Sequence, residues 1–239
     1  MAYGSQPRWT DRSAATQVGI DAGLRDYMLR IYNYMASALA LTGIVAWVFA
    51  GYLETNRAFL HSPVMWLVIL APLGLVMLLS YGLNRLSLPA AQGLFWLYSA
   101  LMGLSMSTIF LAYTYSSIAR VFFITAGTFA AMSLYGYTTR RDLSRFGSFL
   151  FMGLIGIVIA MLVNIFLRSP AIYWAISVIG VLVFTGLTAY DTQTIKEMYY
   201  EGDGYEIAGK KSIMGALRLY LDFVNLFMML VQLMGVRRD

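Results

Sequence analysis

Residues 213–235 read IMGALRLYLDFVNLFMMLVQLMG, and this stretch decides the fold. It is long enough to cross a hydrocarbon core of about 30 Å as a helix, yet it carries Arg218, Asp222, Asn225 and Gln232. At about 100° per residue, these four and Gly215 fall within one arc about 100° wide. A charge set in hydrocarbon costs several kcal/mol, so a polar stripe along most of a span cannot face lipid. The stripe predicts a helix held inside a bundle, with its polar face turned toward other helices.

Working outward, the other 216 residues supply partners of the same kind. The chain of 239 residues is 59% apolar and only 12% charged, against roughly 25% charged for a soluble domain. Six further apolar runs lie at 28–52, 64–83, 89–113, 117–137, 147–167 and 171–191. None shows the alternation of a barrel strand, and a helix is the open-chain structure that satisfies its own backbone in lipid. The expected fold is all-α, with seven transmembrane helices and the seventh lying inside the bundle or lining a wet cavity. A polar cytoplasmic tail over 1–27 precedes a single domain over 28–239. That tail lacks the apolar core and cleavage site of a secretory signal. The longest internal connection, 192–212, reads as a solvated loop. Gly127 with Ala131, and Gly156 with Ala160, are small residues four apart and predict close helix packing.

Composition also narrows the chemistry. Zero cysteines exclude disulfides and thiolate sites, and one histidine, His61, excludes a histidine metal cluster. Carboxylates, arginines and hydroxyls are what remain, with no tightly bound cofactor. The formal charge of +5 reads as a topology signal rather than as a nucleic-acid surface. Eleven basic residues fall on the side of the amino terminus and five on the other, with Arg218 inside the last run. The imbalance places the amino terminus in the cytoplasm. If the last run dipped in without crossing, Arg237 and Arg238 would join the cytoplasmic side and six crossings would suffice.

Two carboxylates stand in or at the end of spans: Asp191 after Thr188-Ala189-Tyr190, and Asp222 after Leu219-Tyr220-Leu221. An intramembrane ionisable group is a functional candidate by default. Counted along their runs, Asp191 nears the cytoplasmic boundary, Asp222 lies about 13 Å into the seventh helix, and Arg85 matches Asp191 in depth. Arg218, four residues before Asp222, is a second possible partner. Two aspartates on successive helices also suit an intramembrane protease, but its Gly-x-Gly-Asp element is missing at Asp222. A retinal photoreceptor lacks its lysine in the last span. No enzyme is expected.

The segments Phe184-Thr185-Gly186-Leu187-Thr188-Ala189-Tyr190-Asp191-Thr192-Gln193 and Leu219-Tyr220-Leu221-Asp222-Phe223-Val224-Asn225-Leu226-Phe227, supported by Gly103-Leu104-Ser105 and Met132-Ser133-Leu134-Tyr135-Gly136, resemble the Bax inhibitor-1 family in its bacterial branch. The resemblance implies a seventh helix enclosed by the other six, and a calcium leak across a bacterial inner membrane, opened or closed by protonation of an aspartate pair. Asp191 and Asp222 stand where that pair stands, as pH sensor, gate and weak calcium site. Arg85 stands where the family can place an arginine that pairs with the sixth-helix aspartate. Arg218 departs from the motif; Asn225 and Gln232 extend its polar stripe. Calcium is then the transported ion, and the expected partners are the bilayer, calcium, protons and a membrane protein. The alternative is a non-conducting protein that regulates a membrane protease or a stress response.

Overall fold

The computed structural model describes the backbone of residues 9–238 and the side chains of residues 22–238 other than Asn84. Its elements are α1 (Trp9–Thr55), α2 (Pro63–Gly82), α3 (Leu88–Met106), α4 (Thr108–Ala112), α5 (Tyr115–Thr138), α6 (Ser144–Leu167), α7 (Pro170–Glu197) and α8 (Tyr205–Met234). Short 3-10 turns, Arg57–His61 and Leu83–Arg85, flank α2. Seven helical segments are long and apolar enough to cross a membrane, α3 and α4 together making one of them. The tail expected over 1–27 lies outside the described residues up to position 8. From Trp9 its backbone is helical and runs into the first span.

Local chemistry sets the helix starts. Pro63, Pro89 and Pro170 occupy first-turn positions where no backbone N–H is needed. The Ser87 and Ser169 hydroxyls accept from the N–H groups of Ala90 and Ile172. Between α6 and α7 the chain reverses within two residues. Arg168 takes a left-handed conformation with φ 50°, and the Asn164 side chain accepts from the Ser169 N–H at 3.0 Å.

The run expected over 89–113 is broken at Ser107. There Ser105 Oγ donates to Val68 O at 2.7 Å and Ser107 Oγ to Leu104 O at 2.6 Å. The break is tolerated because Ser107 is buried in protein rather than exposed to lipid.

Helix α8 forms the centre. In its most apolar window 72% of residues are buried, against 6–39% in the other six spans. It packs on α7, α1, α5 and α3, whereas α2 lies on α3 and α6 lies on α7. The enclosure is thus made chiefly by four neighbours, with α2 and α6 in an outer layer. After α8 the chain returns to the ends of α1 and α4. Arg238 N–H donates to Ala112 O at 3.0 Å, and its guanidinium meets Glu54 at 2.6 Å. The described carboxyl end therefore lies on the same side as the ends of the first and third spans, so α8 crosses the whole bundle and the dipping alternative is excluded.

Two expectations about packing and length are corrected. A Cβ added at Gly127 or at Gly156 would meet nothing within 4 Å, so these small residues do not mark close helix approaches. The glycines that do are elsewhere. A Cβ at Gly136 would lie 2.9 Å from the carbonyl carbon of Ala189, and one at Gly180 would lie 2.7 Å from Met229. The loop expected over 192–212 is also shorter, because α7 continues to Glu197 and α8 begins at Tyr205. Thr192, Gln193 and Ser212 of these extensions are buried, whereas Glu197 and Glu206 remain exposed.

Candidate functional site

The α7 extension explains how two aspartates that seemed offset in depth come level. Asp191 lies six residues before the end of α7, about 9 Å at 1.5 Å per residue, and so well within the bundle. Opposite it on α8 is Asp222, 5% exposed. The two side chains line the same space between α7 and α8. Asp222 Oδ2 is buried and has no hydrogen-bond partner among the described residues. The nearest cation belongs to α8: Arg218 Nη1 is 3.8 Å from Asp191 Oδ1. Arg218 thus bridges between helices to Asp191, and no ion pair joins it to Asp222 among the described residues.

These groups face a cavity of about 550 Å³. Helix α8 contributes Arg218, Leu221, Asp222 and Asn225, α7 contributes Phe184, Leu187, Tyr190 and Asp191, and α6 closes the outer side through Gly147, Ser148, Phe151 and Leu154. A Cβ at Gly147 would lie 2.6 Å from the Tyr190 ring, so a larger residue there would displace that ring. Asn225 donates to Leu221 O on its own helix at 2.8 Å. Further along the stripe, Gln232 accepts from Ser177 Oγ of α7 at 2.8 Å. The polar arc of α8 therefore does face α7, part of it through the cavity and part through a direct hydrogen bond.

Arg85 is not brought to this site. It is exposed in the 3-10 turn beyond α2 and does not line the cavity. A depth match with Arg85 requires Asp191 at the end of its helix, and α7 continues to Glu197. His61 is exposed in the turn after α1, as expected for a loop residue.

Two sets of supporting residues carried no assigned role in the sequence. Ser133 of α5 is hydrogen-bonded to Tyr32 of α1 at 2.6 Å and to Thr192 of α7 at 3.0 Å, which ties three helices together one residue beyond Asp191. Gln193 accepts from Leu143 N–H at 2.8 Å and donates to Arg141 O at 2.9 Å, while Lys196 donates to Tyr137 O at 2.8 Å. The end of α7 thus braces the basic α5–α6 connection. Thr192 and Gln193 close the first aspartate motif and Ser133 lies in a supporting one, which was the signal available.

A carboxylate pair can hold a proton between its oxygens or offer them to a hard cation. Calcium takes six to eight oxygens. Among the described residues no group of three or more His, Asp or Glu gathers as a cation site. Any calcium here would complete its shell with backbone carbonyls and water.

Residues 24–239 match the profile of the family described as inhibitor of apoptosis-promoting Bax1. The chain belongs to the Bax inhibitor-1 family. Within the similarities that place it in this family, it is 52% identical over 225 residues to the Escherichia coli inner membrane protein YbhL, covering 91% of this chain and 94% of YbhL. It is 50% identical over 219 residues to the Rickettsia prowazekii protein RP147, covering 92% and 93%. A Streptococcus pyogenes membrane protein is 34% identical over 217 residues, covering 90% and 94%. As a Bax inhibitor-1 family chain it is a multi-pass membrane protein, and its Asp191 and Asp222 line one cavity at the α7–α8 interface.

Proposed function

We propose that this protein is a pH-sensitive calcium leak pathway of the bacterial inner membrane, with Asp191 and Asp222 as sensor and gate. The observation that carries the reading is the buried, unpartnered Asp222 oxygen beside Asp191 in a cavity between helices. Carboxyl groups this close, away from bulk water, titrate as one coupled pair. A shared proton ties α7 to α8. Its loss sets two like charges against each other and supplies hard oxygen ligands for calcium. Arg218 competes with calcium for Asp191 from 3.8 Å. Two carboxylates make a weak site, which suits conduction because an ion must leave as readily as it enters. The inner-membrane assignment rests on the similarity to YbhL.

The test is calcium-dye influx into liposomes containing the purified protein across about pH 6 to 8, the range in which a coupled carboxylate pair is asked to change charge. The wild type is expected to give a pH-dependent flux. Asp222→Asn and Asp191→Asn, which cannot exchange the shared proton, are expected to flatten the profile. Flux that is unchanged in both variants refutes the assignment of the gate. No flux above empty liposomes from folded protein refutes conduction and favours a non-conducting regulator of a membrane protein.

A further inference from the structure

A second and larger cavity lies on the opposite side of α8. It is a groove of about 1000 Å³ between α1 and α5. Both walls are membrane spans, and both pack on α8 rather than along each other, so the groove opens sideways into the bilayer. Its floor includes Phe223, the residue after Asp222, whose ring lies 5.5 Å from that of Phe122 and 5.6 Å from that of Phe129. Leu29, Ile44 and Leu134 line it while remaining 47%, 61% and 63% exposed. The wall hydroxyls of Tyr32 and Ser133 are already bonded to each other.

The polarity of the groove is asymmetric. At one end stands Arg25, exposed and in no ion pair among the described residues. Its neighbours Asp26 and Arg30 line a different surface pocket. The centre of the first apolar run is Ala40, fifteen residues beyond Arg25, or about 22 Å along α1. That is half of a bilayer about 40–45 Å thick with its headgroups. The groove from Arg25 to Ala40 therefore has the length of one leaflet, with a cation at headgroup depth and hydrocarbon-lined walls below it.

We propose that this groove is a binding site for one anionic phospholipid of the leaflet at the Arg25 end. The guanidinium holds the phosphate through its paired N–H donors, and the acyl chains lie along Met28, Ala36 and Phe129 toward Phe223. A partner helix is the less suitable occupant, because it would have to bring an acid to Arg25 at the membrane surface. The site does not depend on calcium conduction, and its test involves no flux.

The test reconstitutes the full chain in nanodiscs containing equal amounts of phosphatidylglycerol and phosphatidylcholine with identical chains. Lipids retained after extraction are counted by native mass spectrometry. One phosphatidylglycerol is expected, favoured about fivefold, which is the contribution of one basic residue at an anionic surface. Arg25→Gln is expected to bring the ratio near one. Arg30→Gln, with the same charge change off the groove, is expected to leave it unaltered. Ala130→Phe, placed on an exposed groove wall, is expected to lose the retained lipid of either kind. Equal retention of both lipids by wild type, or an Arg25→Gln ratio matching wild type, overturns the proposal. So does lipid still bound in Ala130→Phe. The chain has no cysteine, so Ala40→Cys supplies a single thiol, and disulfide-linked dimers from it would show that a second copy fills the groove instead.

Discussion

Gly136→Ala adds one methyl group where α5 crosses α7. Its Cβ would sit 2.9 Å from the carbonyl carbon and 3.0 Å from the Cα of Ala189, with the carbonyl oxygen closer still. These are backbone atoms in the middle of a packed helix and have no rotamer to adopt, so the helices must part. Overpacking of this kind costs about 1–3 kcal/mol. Separation also stretches the Ser133–Thr192 hydrogen bond, now 3.0 Å, a type worth about 0.6 kcal/mol in membrane bundles. Against this, alanine is up to about 1 kcal/mol better than glycine within a helix. The net expectation is a loss of about 1–3 kcal/mol, which for a chain of this size lowers the melting temperature by about 2–12 °C. Gly127→Ala, on the same helix but with nothing within 4 Å of its Cβ, keeps the propensity gain and melts at or above wild type. Thermal unfolding of the two purified variants in one detergent, side by side with wild type, decides the matter. If Gly136→Ala melts no lower than wild type, or both variants shift the same way, the close approach of α5 and α7 at Ala189 is wrong.

Gln193→Ala should loosen the α5–α6 connection, because it leaves the buried Leu143 N–H without its acceptor at a cost of about 1–3 kcal/mol. Faster trypsin cleavage at the exposed Arg140 and Arg141 is the readout, and an unchanged rate counts against the brace. Thr42 Oγ1 donates to Ser99 O at 2.9 Å, so it must receive its second hydrogen bond, at 2.7 Å, from the fully buried Tyr220 hydroxyl. Thr42→Val strands the buried Tyr220 hydroxyl, whereas Tyr220→Phe removes a donor and leaves Thr42 bonded to Ser99. Thr42→Val should therefore be the more destabilising of the two in equilibrium unfolding, and the reverse order would refute the assigned donors. In the loop before α6, hydrogen bonds from Ser144 hold the Asp142 carboxyl below its ordinary value. A depressed pKa contributes stability above the unfolded-state value and loses it as pH falls through the folded one. Exchange of the Ser144 amide, corrected for intrinsic rate, should speed up only in the acidic range below about pH 4, near the unperturbed aspartate value. Uniform protection down through that range would exclude the bond.

The parts of this structure legible in the sequence were those governed by solvent. Hydropathy marked seven spans because each must cover about 30 Å of hydrocarbon. Periodicity marked the buried face of α8 because Arg218, Asp222, Asn225 and Gln232 share one arc. Pairwise geometry was less legible. Spacing showed that Arg218 and Asp222 share a face but not that Arg218 reaches across to Asp191. The spacing of Gly127 and Gly156 was that of close-packing residues, yet only the positions of other helices decide whether a glycine is crowded, and those two are not. The ends of α7 and α8 were hidden for a third reason. Thr192, Gln193 and Ser212 look like loop residues until Ser133 of α5, the α5–α6 connection and the Ala208 carbonyl of α8 itself satisfy them.

Helix α6 is attached along one side only, to α7, and presents the rest of its surface outward. In water such a helix would be fixed by the cost of exposing its second face. In a bilayer the exchange of a protein neighbour for an acyl chain is almost neutral in hydrophobic terms, and packing and hydrogen bonding supply the remaining cohesion. The outer wall of the aspartate cavity is thus the part of the bundle most responsive to its lipid surroundings. Bilayer thickness, tension and chain order act directly on that wall, so reconstitution in membranes of different thickness samples it without any change to the sequence.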